Sequence, residues 1–189
     1  MCYHIKKRPF DIQGAWESEV GEAVRILGID PGYGITGFGL IESVRGSNKL
    51  LTCGAITTPA GADFSARLEM IYEDMRELLK QSKPDAVAIE ELFFGQNVTT
   101  GIGVAQSRGV ILLAIRQAGL EVTSYKPMQV KLSLVGYGNA TKHQMQDMTR
   151  RLLHLEKMPK PDDAADAIAI ALCHARSSTS LLAKAQSQL

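Results

Sequence analysis

Cysteine is scarce and scattered in this chain of 189 residues: Cys2, Cys53 and Cys173 are odd in number, far apart and without any CxxC spacing. That pattern argues against a disulfide framework and against a cysteine-built zinc site, and for a reducing compartment. Long apolar runs are missing, so nothing in the sequence reads as a bilayer span. The first 23 residues carry bases but neither an apolar stretch nor a small-residue cleavage site, which excludes a secretory signal. An excess of one charge is also lacking. The net charge of +1 means that bulk composition does not mark a basic nucleic-acid binder.

What is present suits one globular domain with tails. The hydrophobic fraction of 45% is normal for a chain with a real core. Charge is distributed unevenly. Between Lys126 and Lys160 seven bases (126, 131, 142, 150, 151, 157 and 160) face only Asp147 and Glu156, a local net of +5. That segment is either a solvated helical face or a phosphate-binding surface.

Residues 1–23 show no period and are expected to be a loosely ordered extension. Val24 stands where a non-ATG start codon would place the first residue, whereas Trp16 is an aromatic able to dock on the domain. Residues 24–176 form the expected domain and 177–189 a polar tail. Arg25 to Thr58 reads as three strands in a meander, with a turn at Arg45-Gly46-Ser47-Asn48. Asp63 or Ser65 caps a helix to about Gln81. Ala86 to Ile89 is a strand apolar on both faces, as a buried parallel strand is. A helix follows from about Asn97 to Ala118, then a strand from Leu120 to Ser124 and a short helix from Pro127 to about Leu134. An amphipathic helix spans Thr141 to Leu155, and a last helix Asp162 to about Ala175. This is a mixed α/β order. Gly101, Ala105 and Gly109 leave one face of the long helix nearly without side chains, so either its own sheet or a partner subunit packs closely there.

The stretch Ile26-Leu27-Gly28-Ile29-Asp30-Pro31-Gly32 is a buried strand that delivers one carboxylate to an open end before a sharp turn. Glu90 ends the Ala86–Ile89 strand in the same way. If the two strands are parallel neighbours, both acids emerge on the edge where α/β sheets hold ligands. In Pro161-Asp162-Asp163-Ala164-Ala165-Asp166-Ala167, Asp163 and Asp166 lie three apart on one helix face, among alanines that keep the face low. Asp162 reads as the N-cap. Spacing alone leaves open a pairing of Asp162 with Asp166. Four converging acids would repel and raise one another's pKa, and divalent cations remove that conflict. Oxygen ligands select Mg²⁺ or Mn²⁺, and two such ions serve phosphodiester hydrolysis.

Together, Gly28-Ile29-Asp30-Pro31-Gly32, Ala88-Ile89-Glu90 and Asp163-Ala164-Ala165-Asp166-Ala167 resemble the motifs of the RuvC family of Holliday-junction resolvases, in order and at compatible distances from about Arg25 to His174. The resemblance implies a ribonuclease-H-like fold, a five-stranded mixed sheet flanked by helices. It implies a two-Mg²⁺ site on Asp30, Glu90, Asp163 and Asp166, with Mn²⁺ as a substitute. It further implies a homodimer that nicks two strands of four-way junction DNA symmetrically, in the bacterial cytoplasm beside the RuvA–RuvB branch-migration complex. Phe93 matches the family's aromatic that stacks on bases at the crossover, and Lys131 and Lys142 match lysines near the scissile phosphate. Taken alone, Phe93 suits a core and the lysines a surface. His143 is left outside the site.

Three other readings are weighed against this one. An actin-like or sugar-kinase ATPase also begins with a Gly-Ile-Asp-x-Gly strand, but needs a duplicated domain and a glycine-rich adenosine site that this chain lacks. A non-catalytic nucleic-acid-binding relative has no use for four acids. Another ribonuclease-H-like nuclease, acting on RNA hybrids, shares the chemistry and differs only in substrate.

Overall fold

The computed structural model describes residues 23–92, 98–157 and 159–186, with the backbone alone at 98–100 and 179–186. The elements run β1 (Val24–Asp30), β2 (Ile35–Val44), β3 (Ser47–Thr57), α1 (Phe64–Ser82), β4 (Ala86–Glu90), α2 (Val98–Gln117), β5 (Val122–Tyr125), α3 (Pro127–Val135), α4 (Lys142–Leu152) and α5 (Asp162–Gln186). The strands form one five-stranded mixed sheet in the order β3-β2-β1-β4-β5. β1, β2 and β3 are the expected meander, antiparallel throughout, while β4 and β5 add parallel to β1. The β2–β3 hairpin turns through Arg45 and Gly46, with φ of 49° and 85°. Two left-handed residues in succession match the twist of paired antiparallel strands.

Strand alternation sorts the core into two layers. Leu27, Ile29, Phe38, Leu40, Val87 and Ile89 point to one face, where Ile71, Met75, Ile111 and Ile115 of α1 and α2 cover them. Ile26, Ile41 and Ala88 point to the other, under Ile168, Leu172 and the residues of α3 and α4. Each of these isoleucines and leucines is worth about 1.5–3 kcal/mol of burial. The period of two also fixes where the acids go: Asp30 shares the face of Ile26 and Gly28, and Glu90 that of Ala88. Both therefore project towards α5.

α5 lies unusually close to the sheet. A Cβ on Gly28 would stand 2.0 Å from the Ala167 carbonyl oxygen, one on Gly37 2.0 Å from that of Asp163, and one on Gly39 2.4 Å from Cγ1 of Ile168. Three glycines on one face of β1 and β2 thus form the bed of the helix, which the low alanine face completes.

Several boundaries differ from the sequence reading. The last helix runs on to Gln186 rather than ending near Ala175. Within this extension Ser177 and Ser178 donate back to the carbonyls of Cys173 and His174, which occupies their hydroxyls inside the helix. The last strand begins at Val122, because Gly119 at φ 78° and Leu120 still belong to the exit from α2. Asp162 is the first residue of α5 rather than its cap, and its carboxylate pairs at 3.7 Å with both Lys142 and Lys160. The extension before residue 23 lies outside the described residues.

Candidate active site

The ladder between β1 and β4 ends at the pair Ile29–Ile89. Asp30 and Glu90 are the next residue on each strand, so they flank a crevice at the carboxyl ends of two parallel neighbours. There the chain order in the sheet also reverses, the usual ligand position of an open α/β sheet. Asp30 is paired outward with Gly37 of β2, and Glu90 with Tyr125 of β5. Gly37 in turn carries the backbone of Asp163. The first turn of α5 is therefore laid directly beside Asp30.

Three of the four acids carry raised carboxyls, and the charge of the fourth, Asp163, acts on two of them. Burial, followed by the negative charges of Glu90, Asp166 and Asp163, pushes the Asp30 carboxyl up to about 8. Glu90 is raised by burial and by Asp166, and Asp166 by burial and by Asp163 and Asp162. Lysines oppose this. Lys131, on α3, pulls Glu90 back down, and Lys142 does so for Asp30 and Asp166. The Lys142 ammonium lies 3.1 Å from Asp166. Burial lowers its own pKa, but the hydrogen bond and the acids around it outweigh that and leave it raised. Of the seven residues expected from sequence, the structure thus brings together Asp30, Glu90, Asp163, Asp166, Lys131 and Lys142. Phe93 lies outside the described residues.

Among the described residues no three His, Cys, Asp or Glu side chains stand close enough to form a finished metal cage. Lys142 lies against Asp166 within the cluster. The donor set is four carboxylates, all oxygen, which suits a hard divalent ion and not zinc or copper. An Asp30 carboxyl held at about 8 by burial and, after that, by neighbouring negative charge is relieved when such an ion binds. The residues fit a divalent cation on both counts.

Sequence reasoning missed how the strand ends are held. The Gly32 carbonyl accepts from Thr36 Oγ1 and Ser107 Oγ, and the Tyr33 carbonyl from Thr58 Oγ1 and the buried Arg67. Arg67 also stacks over the Tyr33 ring. The Glu90 carbonyl accepts from Arg108 Nε. A polar residue within an apolar helical pattern was the available signal for Ser107 and Arg108. A groove of about 570 Å³ lined by Lys80, Lys83, Asp85 and Leu120 lies at the opposite end of β4 and takes no part in the site.

The family model for crossover junction endodeoxyribonuclease RuvC matches residues 26–174. The chain belongs to the RuvC family. It is 51% identical over 152 residues to the RuvC of Roseiflexus sp. (strain RS-1), covering 80% of this chain and 90% of that one. It is 53% identical over 154 residues to the RuvC of Heliobacterium modesticaldum, covering 82% and 95%. Among solved structures, Thermus thermophilus RuvC in complex with a Holliday-junction substrate superposes with a TM-score of 0.78 at 35% identity, over 83% of this chain and 96% of that one. The ribonuclease-H-like fold expected from the motifs is the fold observed. The matched span holds all four acids.

Gly109, at the end of the bare row on α2, does not rest on the sheet. The residues that face the sheet are Ser107, Ile111, Ala114 and Ile115, all buried, whereas nothing lies within 4 Å of a Cβ on Gly109. Ile102 and Leu113, on the same side as Gly109, are 54% and 52% exposed. Among the described residues no helix is long and apolar enough to cross a membrane.

Proposed function

We propose that this chain is a structure-selective endodeoxyribonuclease that resolves four-way DNA junctions by paired, symmetric phosphodiester hydrolysis. In this reading Asp30, Glu90, Asp163 and Asp166 hold two Mg²⁺ ions, with Mn²⁺ as a substitute. When bound, the ions supply an activated water and charge stabilisation for the leaving oxygen. The observation that carries the reading is the Asp30 carboxyl, pushed up to about 8 by burial and by the three other acids at the mouth of the β1–β4 crevice.

The protein's own groups do the rest. The strand ends and the first turn of α5 orient the acids on a rigid frame. Lys131 and Lys142 sit at the rim of the cluster, where an ammonium attracts the scissile phosphate and offsets its approach to four carboxylates. Phe93, three residues after Glu90, is proposed to stack on bases opened at the crossover. A junction has near two-fold symmetry, so two sites on a two-fold dimer reach two strands. The apolar stripe of Ile102, Gly109 and Leu113 supports a second copy of this chain as its cover. A bacterial cytoplasmic location and work beside RuvA–RuvB complete the proposal.

The test compares a four-way junction, a linear duplex and an RNA–DNA hybrid of equal length, with Mg²⁺. Nicked duplex products from the junction alone, cut at symmetric positions, are expected. Equal cleavage of the hybrid would assign the chain to a different ribonuclease-H-like nuclease.

A further inference from the structure

The geometry points to α2 as the gauge that sets the separation of Asp30 and Glu90, with Ser107 and Arg108 as its positioning residues. The inference rests on reading those two acids as metal ligands. Each acid is tied by strand pairing to its outer neighbour, but the β1–β4 ladder stops one residue short of both. The last paired residues across the crevice are Ile29 and Ile89, one step before the two acids. α2 crosses beneath it, on the sheet face opposite the two carboxylates. Ser107, fully buried, donates to the Gly32 carbonyl at 3.1 Å, two residues past Asp30. Arg108, the next residue, donates from Nε to the Glu90 carbonyl at 3.1 Å and from Nη2 to Ser124 Oγ at 2.7 Å.

Successive helix residues point about 100° apart, so one turn of α2 reaches both strand ends at once. Pro31 has no N–H to anchor the chain between Asp30 and Gly32. Gly32 is thus the residue after Asp30 and Pro31 that side chains hold: its N–H donates to Thr36 Oγ1, and its carbonyl accepts from Thr36 and, from α2, from Ser107. Because both contacts are to main chain from the far face, they leave the carboxylates free to bind. Two carboxylates serving shared ions tolerate little error: a misplacement of about 1 Å costs on the order of 100-fold in rate.

The experiment uses the full chain and the variants Ser107→Ala, Arg108→Met and Arg108→Lys. Four quantities are read: the Mg²⁺ concentration giving half-maximal single-turnover cleavage, Mn²⁺ binding to the protein–junction complex by calorimetry, junction affinity in metal-free buffer, and melting temperature. Each variant should need about tenfold more Mg²⁺ and bind Mn²⁺ correspondingly more weakly, with junction affinity within twofold of the parent. Arg108→Lys should not rescue, because one ammonium does not span the Glu90 carbonyl and Ser124. A lowered melting temperature with an unchanged Mg²⁺ midpoint would make these residues merely structural and overturn the inference. Weaker metal-free junction binding by Arg108→Met would make Arg108 a phosphate contact and overturn it too. Asp30→Asn separates the two readings. If it cuts normally, the metal site itself is wrong; if it is inactive while the three variants keep the parent midpoint, only the gauge is wrong.

Discussion

Replacing Gly37 by alanine tests whether the bed of α5 is what brings the last two acids to the first two. The added Cβ would stand 2.0 Å from the Asp163 carbonyl oxygen and 2.4 Å from its carbon. Ordinary contact begins near 3.4 Å. Backbone cannot rotate away as a flexible side chain can, so the first turn of α5 must rise by about 1.4 Å, the difference between those two distances. Overpacking of this kind costs about 1–3 kcal/mol. For a domain of this size that is a fall in melting temperature of roughly 2–12 °C. The displaced turn carries Asp163 and Asp166, and an error above 1 Å at reacting groups is worth at least about 100-fold in rate. Cleavage should therefore fall far more than stability, while junction binding without metal stays near the parent's.

Single-turnover cleavage and differential scanning calorimetry read both effects. Gly61→Ala is the control, since nothing lies within 4 Å of its Cβ. Full activity in Gly37→Ala with an unchanged melting temperature would show that α5 does not rest on this glycine. A stability loss alone, with cleavage intact at permissive temperature, would show that Asp163 and Asp166 act without the placement described.

In the metal-free protein, the raised Asp30 carboxyl favours the folded state fully below its ordinary value of 3.8, and that contribution is lost as pH rises through about 8. Melting temperature without metal should fall across that window, Asp30→Asn should flatten the fall, and added Mg²⁺ should stabilise more at pH 8 than at pH 5; equal slopes in parent and variant would refute this. Lys131→Ala and Lys142→Ala should weaken cleavage and flatten the salt dependence of junction binding by about one counterion each, as filter binding across a salt series would show. Leu113→Glu places a charge in the exposed stripe of α2 and should convert a dimer to a monomer in analytical ultracentrifugation, with loss of paired nicking. Asn substitutions at Asp30, Asp163 and Asp166 and Gln at Glu90 should abolish cleavage while keeping the fold, whereas Asp162→Asn should stay near normal; an inactive Asp162→Asn beside an active Asp163→Asn would exchange their roles.

What the sequence made legible were features set by local pattern. A continuous apolar run placed Ile26, Leu27 and Ile29 in a strand buried within the sheet, and the abrupt end of two apolar strands exposed Asp30 and Glu90 as acids at strand ends. Helical spacing put Asp163 and Asp166 on one face. The Arg45-Gly46 turn was legible because left-handed backbone favours glycine, though the other turn residue is an arginine. Asp162 was misassigned as a cap because capping and the first helical turn favour the same residue type. The carboxylate of Asp162 pairs instead with Lys160, two positions upstream, and with Lys142, twenty positions upstream.

The orientation of α2 was hidden for a different reason. Glycine, alanine and aliphatic residues surround nearly the whole helix, so no polar stripe marks a solvent side. Two faces were then equally able to pack closely, and the row of Gly101, Ala105 and Gly109 drew attention to a side that, at Gly109, the sheet does not use. The buried side is identified by what strands β1, β4 and β5 leave unpaired at their ends: the carbonyls of Gly32 and Glu90 and the hydroxyl of Ser124. Those groups belong to residues up to 75 positions from Ser107 in the chain. A buried serine followed by an arginine becomes intelligible once the sheet order places β1 beside β4. The same order turns the other side of α2 to solvent, so one helix holds two acids from below while presenting an apolar stripe to a second copy. A change at that stripe that tilts α2 is therefore expected to reach the acids through Ser107 and Arg108.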